Sequence, residues 1–87
     1  MKQKEFEEII RFLKTENQIC GWNALDLRAG DLLKKTGSKN VRECAAGMLA
    51  CMLEGDSFLK EPEERLSEDL TVRYYCDNLS ESRRRMF

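Results

Sequence analysis

Six hydrophobic residues fix the middle of this chain as a helix before anything else is considered. Val41, Cys44, Ala45, Met48, Leu49 and Met52 stand at i, i+3, i+4, i+7, i+8 and i+11, a one-sided stripe at 3.6 residues per turn. Ser38 reads as the N-cap and Gly55 as the stop, so a helix is expected over residues 38–53. Its other face is unusual. It begins with Lys39, Asn40 and Arg42 and then shrinks to Ala46, Gly47 and Ala50. Glycine inside a helix costs about 1 kcal/mol relative to alanine, so the small face implies close packing of another element, either internal, against the first helix or the tail, or between subunits.

The flanking segments alternate in type. From Lys2 to about Asn17, Phe6, Ile9, Ile10 and Leu13 recur at helical spacing, Phe12 widens the apolar side, and charged residues fill the rest. NQICGWNALD breaks that period at Gly21 and reads as a short extended segment, with Trp22 packing over the first two helices. Asp26 then caps a helix expected to begin at Leu27; Leu32 and Leu33 face inward, Lys34 and Lys35 suit the negative end of the helix dipole, and Gly37 ends it. SFLKEP and LTVRYYC read as strands, the second alternating Leu70, Val72 and Tyr74 with Thr71, Arg73 and Tyr75. Between them lies the polar EERLSED, so the two form a hairpin with a long tip. DNLSESRRRMF reads as a frayed tail. One domain over residues 1–76 and a polar, basic tail over 77–87 follow.

Length and charge narrow function. With 87 residues the chain is one domain, which buries about 60–65% of the surface it exposes when unfolded. No apolar run approaches the roughly 20 residues of a membrane span, and the first residues alternate in charge instead of forming an export signal. A cytoplasmic protein is expected. Four cysteines, Cys20, Cys44, Cys51 and Cys76, would allow two disulfides in a secreted chain. Without an export signal they read as reduced, small hydrophobes. The chain has no His and no CxxC pair, so neither a metal site nor a base-activated nucleophile is expected. Its glycines lack the spacing of a phosphate loop. An enzyme is therefore not expected, nor a cofactor.

Net charge is -1, but the charges are segregated. Residues 21–45 carry five basic and three acidic side chains, whereas residues 56–69 carry two basic and six acidic ones.

The order helix, extended segment, helix, tight turn, helix, strand, tip, strand, with LRAGDLLKKTGSKNVRECAAGMLACMLEGD at its centre, resembles the helix-turn-helix signature of the winged-helix family. The resemblance covers roughly residues 3–76 and implies an α+β fold of three helices plus a two- or three-stranded wing sheet. It implies a small DNA-binding regulator of transcription, active as a dimer, whose helix 38–53 enters the major groove. Ser38 and Lys39 would contact phosphate; Asn40, Arg42 and Glu43 would reach base edges; Ala46 and Gly47 would let the backbone lie close. Lys60, Arg65 and Arg73 of the wing, and Arg83, Arg84 and Arg85 of the tail, would add phosphate contacts.

The wing departs from that pattern. Glu61, Glu63, Glu64, Glu68 and Asp69 would be repelled by phosphates within about 8 Å at physiological salt. The alternative is therefore a winged-helix protein-interaction module with an acidic wing that does not bind DNA, using Ala46, Gly47 and Ala50 as its partner interface. A helical scaffold piece of a larger assembly is a third reading.

Overall fold

A computed structural model describes residues 1–76 and 83–87. Helix α1 spans Gln3–Ile19. At its start the backbone N–H of Lys2 donates to Glu5 Oε1 at 3.0 Å, and the N–H of Gln3 donates to Glu43 Oε2 at 2.8 Å. Both carboxylates meet donors that a helix cannot satisfy internally. At its end Gly21 adopts φ 84°, the N–H of Trp22 donates to the Asn17 carbonyl at 2.8 Å and that of Gly21 to Gln18 at 3.0 Å. This paired closure is why α1 runs two residues beyond the expected Asn17.

Strand β1 is Ala24–Arg28, and helix α2 follows without a break at Ala29–Thr36. The expected cap at Asp26 is thus incorrect. Leu25 and Leu27 lie opposite Tyr74 and Val72 on the third strand, and burying that alternating pair favours the strand over two more helical residues. Arg28 is the N-cap of α2 but its side chain bonds no helical amide. Instead the N–H groups of Ala29 and Gly30 donate to the carbonyls of Leu70 and Glu68 at 2.8 and 2.9 Å. Gly37, at φ 72°, closes α2.

Helix α3 is Val41–Ala50, shorter at both ends than expected. Its N-cap is Asn40, whose side chain accepts from the N–H of Glu43 at 3.4 Å. Ser38 stands two residues earlier, its Oγ accepting from the N–H of Asn40 at 3.2 Å. Strands β2, Ser57–Lys60, and β3, Thr71–Tyr75, complete an antiparallel sheet of order β1-β3-β2. The protein is therefore α+β, three helices on a three-stranded sheet. No helix among the described residues is long and apolar enough to cross a membrane.

The core lies between α1, α3 and the inner face of the sheet. Phe6, Ile10, Leu32, Met48, Met52, Leu70, Val72 and Tyr74 are fully buried, and the Tyr74 hydroxyl donates to the Met48 carbonyl at 2.6 Å. Burial pushes that phenol upward. Lys14 is also buried, with Nζ 5.5 Å from the centre of the Tyr74 ring. Cys44, Cys51 and Cys76 are buried, while Cys20 is exposed. Phe12 and Trp22 do not enter the core: they are 61% and 66% exposed.

The C-terminus also differs from the expected frayed tail. Residues 77–82 lie outside the described residues, but residues 83–87 return to the body. Glu54 donates its N–H to the Arg84 carbonyl at 2.8 Å, and Met86 to Met52 at 3.0 Å. Phe87 then reaches Phe58 of β2, with ring centres 6.2 Å apart.

Candidate nucleic-acid interface

The turn between α2 and α3 brings together four exposed cations. Lys34 and Lys35 occupy the last turn of α2, Lys39 the turn itself and Arg42 the first turn of α3. All four are exposed, and none of the four side chains makes an ion pair or hydrogen bond among the described residues. Lys34 and Lys39 line one groove together with Ser38, Gly37, Arg28 and Glu68. A neighbouring depression on the β1 side is lined by Lys34 and Lys35 with Asp26, Arg28 and Asp31. Lys34 borders both. Sequence reasoning assigned Lys34 and Lys35 only to the helix dipole; their place immediately before a tight turn was the signal that they could also face a ligand.

Several expected contact residues are already engaged. Asn40 caps α3 and its Nδ2 donates to the Met1 carbonyl at 3.2 Å. Glu43 holds the first amide of α1. Neither side chain is then free for a base edge without breaking a cap, which costs about 1 kcal/mol. Gly47 is buried beneath α1: a Cβ placed there would meet the Phe6 Cβ at 2.9 Å and the Gln3 carbonyl oxygen at 3.1 Å. The expectation of Gly47 as a DNA contact, and of Ala46, Gly47 and Ala50 as a partner interface, is corrected by this packing. The close approach is internal; Ala50 is 8% exposed and Ala46 half-buried.

The wing and tail cations are likewise mostly occupied. Arg73 forms a bidentate pair with Asp26 across β1 and β3, at 2.8 and 3.0 Å. That guanidinium lowers the Asp26 carboxyl below its ordinary range, and Asp26 in turn raises Arg73. Arg65 pairs with Glu61 at 2.6 Å and lies over both Phe58 and Phe87, 5.6 and 5.2 Å from the ring centres. Arg83 is nearly buried against Asp56, whose side chain is wholly buried, at 2.6 Å. Arg84 is 3.9 Å from Glu54 and largely in solvent. Lys60 and Arg85 are exposed.

The tip of the hairpin is not a projecting finger. Leu66 is half-buried against the core, Leu70 is fully buried, and the carbonyls of Glu68 and Leu70 hold the start of α2. Asp69 and Asp31 flank Arg28, at 3.3 and 3.5 Å, and compensate its charge. This folding back brings Glu68 to the same groove as Lys39. The surface thus carries Lys34, Lys35 and Lys39 interleaved with the carboxylates of Asp26, Asp31 and Glu68, with Arg42 on the first turn of α3. Comparison with family models, with curated proteins and with solved structures returned no match.

Proposed function

We propose that the chain is a winged helix-turn-helix domain that binds duplex DNA and acts as a small regulator. The observation that carries this reading is the set of four exposed cations, Lys34, Lys35, Lys39 and Arg42, around the α2–α3 turn, none in an ion pair among the described residues. Supporting it is the element order, helix, strand, helix, turn, helix, strand, strand, which is the order the resemblance implies. With Asn40 and Glu43 held as caps, Arg42 is the side chain on the first turn of α3 left to reach a base edge. Three lysines hold phosphates. Such binding is mostly electrostatic, with modest sequence preference.

Fluorescence anisotropy on a mixed-sequence duplex tests it. Neutralising about four phosphates gives a salt slope near -3.6, so affinity should fall roughly 100-fold between about 50 and 200 mM salt. Absence of binding at the lower salt would sink the proposal. The acidic-wing protein module is the second reading, favoured by Glu68 at the groove; it expects no duplex binding and capture of a basic peptide instead.

A further inference from the structure

The outer face of α1 carries apolar side chains that this fold does not use. Phe6, Ile10 and Lys14 point into the core, whereas Phe12 is 61% and Ile19 76% exposed on the opposite side, with Trp22 66% exposed just beyond the helix end. Phe12, Thr15 and Ile19 are spaced by three and four residues, the a-d-a repeat of a helix that packs along another helix. The Thr15 hydroxyl is already satisfied by the Arg11 carbonyl at 3.0 Å, so its methyl is the group left for a partner.

The flanking charges choose that partner and its direction. In this heptad Arg11 is a g position and Glu16 the following e position, and both are exposed. Two parallel copies set each g against the e of the other chain, so Arg11 of one meets Glu16 of the next, twice. Antiparallel copies set g against g and e against e, so no antiparallel register brings Arg11 opposite Glu16 of the other chain. Arg11 also pairs with Glu7 in its own helix at 3.3 Å, but it is 64% exposed and has reach to spare. Toward the N-terminus the seam would continue through Glu5 and Glu8, where like charges part the helices.

We propose that α1 is a self-association helix, and that two copies of the chain pack in parallel along Phe12, Thr15 and Ile19, with Trp22 at the end of the seam. Aromatic side chains bury about 150–250 Å² each, so the seam supplies roughly half of the ~800 Å² per partner of a standard interface. The dimer is accordingly weak, dissociating in the micromolar range. Because the start of α1 touches the start of α3, through Gln3 to Glu43 and Met1 to Asn40, parallel pairing brings both α3 first turns to the same end of the dimer. The proposal does not depend on DNA binding.

Sedimentation velocity of the full chain under reducing conditions, over a micromolar concentration series, tests it. A monomer–dimer equilibrium is expected. Phe12→Ser combined with Ile19→Ser should abolish it while leaving the circular dichroism spectrum unchanged. Arg11→Glu or Glu16→Arg alone should weaken dimerisation about tenfold, and the two together should restore it. A wild-type chain that stays monomeric, a dimer that survives loss of Phe12 and Ile19, or single charge changes without effect would each overturn the proposal.

Discussion

Phe6 of α1 lies directly over Gly47 of α3, so that a Cβ on Gly47 would stand 2.9 Å from the Phe6 Cβ and 3.1 Å from the Gln3 carbonyl. One neighbour is the root of a fully buried side chain and the other is backbone; neither yields cheaply. Gly47→Ala gains about 1 kcal/mol in helix propensity but pushes α1 away, at an overpacking cost of about 1–3 kcal/mol. A net loss of about 1 kcal/mol is expected in urea denaturation. Ala46→Ser, at a half-buried site on the same helix, should change stability less.

Arg83 performs a similar anchoring role from the other end of the chain. Asp56 Oδ1 accepts from Arg83 at 2.6 Å and from the Tyr75 N–H at 2.9 Å, while Oδ2 accepts from the Leu53 N–H at 2.9 Å. Removing the cation leaves a wholly buried carboxylate whose charge nothing among these contacts balances. Arg83→Ala should cost about 3 kcal/mol. Arg84→Ala, whose side chain is 89% exposed, should cost little. Equal midpoints for the two variants in denaturant would contradict the anchoring role.

Those two anchors mark where sequence reading stops. The stripe from Val41 to Met52 and the alternation from Leu70 to Tyr74 were legible because burial imposes a period on each element by itself. Gly47 was legible as a close approach by the first helix, the tail or a second subunit, since nothing in α3 says which of them it is. Asp26 misled because a cap and a cross-strand pair both want a short carboxylate; the partner that decides, Arg73, is 47 residues away. Asn40 and Glu43 had suitable chemistry for a groove, but their engagement with Met1 and Gln3 depends on tertiary docking. The tail arginines read alike in sequence, and only the folded chain separates buried Arg83 from solvated Arg84.

Thiol chemistry offers an independent check on the core. Burial pushes the Cys44 and Cys51 thiols up to about 11, and Cys76 is fully buried. Cys20 is exposed at the end of α1. At pH 8 a bulky maleimide should therefore label one thiol quickly in the native chain and the remaining three only after denaturation. Rapid native labelling of Cys44 or Cys51, read by peptide mass spectrometry, would show that the α1–α3 packing is open.

Glu68 separates the two readings of the basic band because it shares a groove with Lys34 and Lys39. A carboxylate there repels phosphate at a range where screening is incomplete. If duplex DNA is the partner, Glu68→Gln should tighten binding about threefold at low salt. Lys39→Ala should weaken binding on all sequences alike and reduce the salt slope by about 0.9, while Arg42→Ala should narrow the difference between preferred and random duplexes. A basic protein partner reverses the first sign: Glu68→Gln would loosen it, and Lys39→Ala would not. Titrating the three variants against duplex and against a basic peptide therefore assigns the band by the direction of one substitution, independently of absolute affinity.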